Sequence, residues 1–352
     1  MRKVAVFGLI LLTVALGAHL ALAAWVFARL QPAPLPVLTP PAGVSLSASS
    51  CAGCHPDQYA EWAGSMMGLA TRDPVYVADF EHQGNFVCHR CHAPLAEQQP
   101  EVVTGLWSVV PLVPRSTPNP DFDPALYGEG VTCTACHLRD GAMVGPLEQP
   151  RAPHPTRKGS IDCARCHQLD PPPLSSGLDR PISDTHGEHE RWGGAEDCVD
   201  CHMPVVQRSA AVGGPVRDSR VHTFHGAWND AMVRSAVEVV GACATSTGVE
   251  VTLRNRAGHN VPTGEPGRAL VVQSGGVEVV LARRIPLPKY QDIGDTSLLP
   301  GETRRIVLDG ARGDTVELVF DRLRFFPAPV VESIPASKRR VNLASLSLQP
   351  CA

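Results

Sequence analysis

Aromatic residues make up only 5% of this 352-residue chain, too few to fill a core of that size with rings. An excess of positive charge is also missing. The formal net charge is −4, which removes the electrostatic basis for binding nucleic acid. No lipobox precedes Cys51, which argues against a lipid anchor there. Proline is plentiful by contrast, with 33 residues where about 5% is usual, so much of the backbone should be irregular. Such a chain needs something besides side chains in its interior.

One long apolar run is present. Arg2 and Lys3 precede Val4–Ala28, broken only by His19. Two readings stand. The whole run can be an uncleaved anchor, since about 20 apolar residues cross a bilayer and the two basic residues would stay inside. Alternatively Val4–Ala18 is the core of a signal peptide, with Ala21-Leu22-Ala23 as its cleavage site. Trp25, Val26 and Phe27 carry the run past that site and favour the anchor. Either way the remainder is exported. It would sit on the periplasmic side of the cytoplasmic membrane if anchored, or be periplasmic or secreted if cut.

Twelve cysteines lie in that exported part, and ten fall in one repeated pattern, Cys-x-x-Cys-His. The copies are Cys51, Cys54, His55; Cys88, Cys91, His92; Cys133, Cys136, His137; Cys163, Cys166, His167; and Cys198, Cys201, His202. Far fewer than one copy is expected by chance at this composition. The spacing lets two thiols reach the two vinyl groups of one porphyrin edge, while the next histidine meets the iron from below. Half a zinc site or a redox-active disulfide would not need the histidine five times over. The expectation is five covalently bound haem c groups with His55, His92, His137, His167 and His202 as proximal ligands. Flat apolar haems would then replace aromatic side chains as packing material.

The blocks "CAGCHPDQYAEWAGSMMGLATRDPVY", "CHRCHAPL", "GVTCTACH", "THGEHERW…CVDCHMP", "VHTFHGA" and "GHNVPTG", in this order, resemble the multihaem cytochromes c related to the tetrahaem electron carrier of ammonia oxidisers. The resemblance runs from Ser50 to about Gly267. It implies distal iron ligands at His186, His222 and His259, and so gives a role to the lone histidine of "RNRAGHNVPTG". The other reading of His259 is a loop histidine bonded to a haem propionate. His154, nine residues before Cys163, is a further candidate. Where relatives carry Ser-Met-His, this chain has Ser65-Met66-Met67, so Met66 or Met67 would complete the set unless both are core residues. His82 is the rival for that place. His89, inside its own motif and pointing away from its own ring, is expected to face solvent or to bond a haem propionate.

From Val237 the pattern changes to β-type runs divided by Gly, Asp and Pro turns. Cys243 and Cys351 bracket this block and are read as a disulfide, with two unrelated thiols as the alternative. Ser337–Arg340, "SKRR", is read as a solvated basic patch. The expected organisation is an anchor or signal peptide over 1–30, a Pro-rich linker over 31–47 and a pentahaem α/coil domain of little regular structure over 48–236. A β-sandwich-like domain over 237–352 would supply a distal ligand. The expected role is electron transfer between a membrane quinol-linked donor and a periplasmic or extracellular acceptor; assembly of copies into an oligomer is compatible with it. The rival is a multihaem reductase of a small nitrogen or sulfur oxyanion at one open haem. It lacks the Cys-x-x-Cys-Lys attachment signature of one haem nitrite reductase type.

Overall fold

The computed structural model describes residues 2–30, 38–83, 86–109, 113–147, 149, 152–171, 178–286 and 291–351. The expected linker falls largely at 31–37, outside the described residues. The apolar run forms one helix, α1, Arg2–Leu30. It is long and apolar enough over Val6–Arg29 to cross a membrane. Its far end is not bare: Ala23 and Val26 are buried against Leu106, with Phe27, Val87 and Val109 around them.

Between residues 38 and 236 the helices are short. Each attachment motif lies on or beside a single helical turn, at Ser49–Ala52, His89–His92, Cys133–His137, Ala164–His167 and Cys198–His202. Longer pieces start at Pro56–Ala63, Pro74–Gln83 and Thr185–Trp192. The first two carry proline at the first helical position, where its missing N–H costs nothing. This part also contains three small sheets that the sequence reading lacked. They are the hairpin β1–β2 (Glu101–Ser108, Val113–Pro118), the ribbon β3–β4–β5 (Leu138–Arg139, Ala142–Gly145, Thr156–Lys158) and the hairpin β6–β7 (Val205–Ser209, Val216–Arg220). Each is only two to eight residues per strand, so its alternation is too brief to stand out from a Pro-rich background.

The C-terminal part is two antiparallel sheets. One runs β12-β9-β8, built from Thr303–Asp309, Gly248–Asn255 and Val237–Ala244; the other runs β11-β10-β13-β14, from Val277–Leu281, Ala269–Ser274, Thr315–Asp321 and Arg340–Ser347. Val251, Leu253, Ile306 and Leu308 of the first face Leu270, Val272, Val316 and Leu318 of the second in one buried cluster. Burying each such side chain contributes about 1.5–3 kcal/mol. Ala269 and Val271, on the opposite face of β10, are covered as well, which is why this strand reads as an unbroken apolar run rather than alternating.

Cys243 in β8 and Cys351 at the chain end are bonded, with Cα atoms 5.0 Å apart and a sequence separation of 108. Closing so long a loop removes denatured-state entropy worth roughly 4–5 kcal/mol on the chain-entropy model. Replacing both cysteines by serine is expected to lower the unfolding midpoint of the β part, and strongly. Loss of no more than a few tenths of a kcal/mol in chemical denaturation would show that this entropy is not what holds the block closed.

Candidate functional site

All ten motif cysteines are free thiols rather than disulfide partners. The five motifs are not strung out in chain order. The Cys51 and Cys133 side chains are hydrogen-bonded, as are Cys91 and Cys166, and Cys163 and Cys198. The first motif therefore adjoins the third, the second adjoins the fourth, and the fourth adjoins the fifth. Burial pushes the Cys88 thiol up to about 12, whereas the hydrogen bond with Cys133 brings Cys51 down to about 7.

Four of the motif histidines share one local arrangement. Nδ1 of His55 lies 2.5 Å from the Ala210 carbonyl, that of His92 2.8 Å from Ala70, that of His137 2.7 Å from Val144, and that of His202 2.6 Å from His225. A carbonyl oxygen only accepts, so each Nδ1 donates and carries the ring proton. The lone pair is thereby left on Nε2, the tautomer of a metal-ligating imidazole. Burial also lowers the pKa of His92, His137 and His167, which favours the neutral form that ligates.

Two of these rings face a second imidazole. His137 and His222 have ring centres 6.1 Å apart, and His202 and His259 have centres 6.3 Å apart with planes inclined by only 14°. A metal ion held in line between two imidazole nitrogens at about 2 Å each puts the ring centres about 6.3 Å apart. The residues present thus fit an iron between each pair. His222 and His259 each donate Nδ1 to a carbonyl, of Arg220 at 3.0 Å and of Asn260 at 2.9 Å. Burial holds both imidazoles down to about 4, hence neutral.

The loops that carry His222 and His259 are each fixed from outside. The His222 amide donates to Glu61 Oε2 at 2.8 Å, and Arg208 grips the same carboxylate at 2.5 and 2.8 Å. Hydrogen bonding to Arg208 holds the Glu61 carboxyl below the usual carboxylate range. His259 rides on the 258–264 loop, which docks on the helix Thr185–Trp192. Asn260 N donates to Glu188 Oε2 at 3.1 Å, Thr263 Oγ1 donates to the same carboxylate at 2.5 Å, and Asn255 Nδ2 donates to the His259 carbonyl at 2.8 Å. A Cβ on Gly258 would stand 2.8 Å from the Trp192 ring and 3.1 Å from His189 Nδ1. That close approach to Trp192 requires the glycine. The turn ends with a cis Val261–Pro262 bond.

The remaining candidates are placed as follows. His186 sits 3.6 Å from Glu190 and beside Gly187, whose amide donates to Gln168 next to the fourth motif. His154 is half-buried, its Nδ1 3.4 Å from the Pro155 carbonyl, and the Pro155 carbonyl itself accepts from Met143 near the third motif. Met66 and Met67 are half-buried, and the Met67 carbonyl accepts from Val131, two residues before Cys133. The His82 side chain lies outside the described residues.

Some expectations are corrected. His89 does not face outward: it is 8% exposed, and Tyr76 Oη bonds its Nδ1 at 2.7 Å. The Tyr76 ring also stacks on His92 at 4.0 Å, a partner that lies 16 residues upstream without any motif to mark it. The basic patch is partly structural. Arg340 pairs with Asp321 at 3.3 Å, and Arg322 donates to the Lys338 carbonyl at 2.7 Å. Glu61 and Glu188 were missed too, since a single carboxylate in a helix carries no signal of what it will hold.

Short helical turns carrying paired cysteines with a histidine recur at five places, and imidazoles face two of them. The same architecture exists in a solved protein. The chain is similar to the crystal structure of a penta-heme cytochrome c552 from Thermochromatium tepidum, with a TM-score of 0.62, 22% sequence identity, and coverage of 85% of this chain and 97% of that one. At that identity the likeness establishes the fold. No family model and no curated protein matches.

Glu61→Gln removes the charge that Arg208 and the His222 amide share, and is expected to cost about 1–3 kcal/mol at neutral pH. Because the folded-state pKa is depressed, this contribution is present above the ordinary carboxylate pKa and lost as pH falls through the folded value. The midpoint difference from wild type in thermal unfolding should therefore shrink on acidification. A difference that stays constant down to pH 3 would remove the carboxylate from this role.

Proposed function

We propose that the chain is an exported pentahaem cytochrome c that passes electrons between a membrane donor and a periplasmic or extracellular acceptor. The observation that carries this reading is the facing of His137 by His222 and of His202 by His259 at the separation an in-line iron needs. An iron with two protein ligands shuttles electrons, while an open one invites small-molecule chemistry. Five haem c groups, held by the ten motif cysteines, would supply reversible one-electron chemistry. The contacts between motifs, first to third and second to fourth to fifth, support short hops between neighbours.

In this reading His222 caps the third-motif iron and His259 the fifth. His186, His154 and one of Met66 and Met67 (or His82) cap the other three. The role of the chain itself is to orient these ligands through carbonyl acceptors and to exclude water. The resemblance to the carriers of ammonia oxidisers, and to the penta-heme cytochrome fold, is in keeping with this. The packing of Ala23, Val26 and Phe27 against Leu106 and Val109 supports an uncleaved α1, since a cut after Ala23 would break that cluster. Val87, in the same cluster, directly precedes Cys88, so electrons from a membrane donor would enter at the second motif.

The competing reading is a reductase acting at one open haem. Tyr76 rather than an imidazole is the ring stacked on His92, which makes the second motif its natural place. Carbon monoxide added to the fully reduced protein separates the two. The carrier predicts an unchanged visible spectrum, and stoichiometric binding at one haem would overturn it in favour of the reductase. His259→Ala should keep five covalent haems by intact mass but open one to carbon monoxide, and His222→Ala likewise. A variant that stays closed would show that its histidine is not a ligand. In redox titration, a methionine-capped haem would stand above the rest, and Met66→Leu or Met67→Leu would remove that step.

A further inference from the structure

The hairpin β1–β2 belongs neither to an attachment motif nor to the β block, yet it is built onto the anchor helix. Leu106 is buried against Ala23 and Val26. One residue on, the Trp107 carbonyl accepts from His19 Nε2 at 3.1 Å, so the imidazole within the apolar run is satisfied by hairpin backbone. Trp107 itself, next to the buried Leu106, is 65% exposed. Val113, paired with Ser108 next to it, is exposed too, as are Val102 of the hairpin and Trp25 of the helix. Arg115 lies over the Trp107 ring at 5.6 Å, and Arg29 over the Trp25 ring at 5.3 Å.

We propose that the hairpin Glu101–Pro118 is a second membrane contact, whose Trp107 face rests in the outer interface of a phospholipid bilayer beside α1. The inference rests on the reading of α1 as an uncleaved anchor. Helix geometry decides the depth. Val4–Leu22, the stretch that precedes the buried cluster at Ala23 and Val26, is about 28 Å long at 1.5 Å per residue, close to the ~30 Å hydrocarbon thickness. Ala23 then stands at the outer boundary, and His19, four residues back, lies about 6 Å below it. Trp107, bonded to His19, reaches the same level. That is the depth at which interfacial elements bury an apolar face, about 5–10 Å. Tryptophan with arginine at the rim is the side-chain chemistry of that zone, an apolar ring in the acyl boundary and a cation among headgroup phosphates. The surface would be a poor choice for water, since Trp107 and Val113 are exposed on a hairpin docked against a helix that is itself lipid-facing in this reading.

The test uses the full-length protein carrying the photo-reactive residue p-benzoylphenylalanine at Trp107, at Val113, or at Val212, which is 70% exposed on the turn between β6 and β7. Each is reconstituted into phosphatidylethanolamine–phosphatidylglycerol vesicles, irradiated and analysed by peptide mass spectrometry. Phospholipid adducts several-fold more abundant at 107 and 113 than at 212 are expected. Equal, low adduct levels at all three positions in protein that floats with the vesicles would overturn the hairpin contact while leaving the anchor intact. Cross-links between the hairpins of two copies would overturn it in favour of self-association. Protein that does not float would bring down the anchor reading together with the inference. Haem content and redox behaviour enter none of these outcomes, so a failure here is distinguishable from a failure of the electron-transfer reading.

Discussion

An imidazole whose Nδ1 is tied to a main-chain carbonyl can offer only Nε2 to a metal, and the site depends on that constraint. It is met at His55, His92, His137 and His202, and again at His222 and His259. In each case the carbonyl comes from a different stretch of chain or from a local turn. The bond fixes both the proton and the ring orientation. Without it a histidine next to a paired cysteine could turn its ring or its tautomer, and attachment alone would not secure a ligand.

The rest of the architecture can be understood as supplying those carbonyls and the facing rings. Two of the small sheets, β3–β4–β5 and β6–β7, have this use. β4 carries the Val144 carbonyl that His137 needs, the turn after β6 carries Ala210 for His55, and the segment after β7 brings His222 and His225 to opposite motifs. The β block does for His259 what a helix could not. Its 258–264 loop is held by Glu188, Asn255 and Trp192 contacts at once. A core of Leu253, Leu270, Leu298 and Leu308 behind it gives that loop a rigid base. Ligands presented by a packed sheet move less than ligands on free coil.

Charge is used sparingly and at the same places. Glu61 and Glu188 are the two carboxylates that reach across to distal loops, one countered by Arg208 and the other by hydroxyl and amide donors. Glu188 is raised by burial first, as expected of a carboxyl without an arginine beside it. Neither would be singled out in a chain where 19% of residues are charged.

What the sequence by itself determined is what lies within a few residues. Two thiols and a histidine at fixed spacing form a pattern that is complete within five residues, and a basic pair before an apolar run is just as local. The change to β-type runs at Val237 was likewise legible, because a strand's alternation and its turns are local. The facing of His137 by His222, the burial of His89 under Tyr76, and the docking of the hairpin on α1 were decided only by tertiary structure. In each of these the two partners come from separate segments, and no local periodicity or propensity records which distant surface a residue will meet. His259 stands between the two cases. Its loop could be noticed in the sequence, but that it faces His202 follows from how the β block packs against the helix Thr185–Trp192.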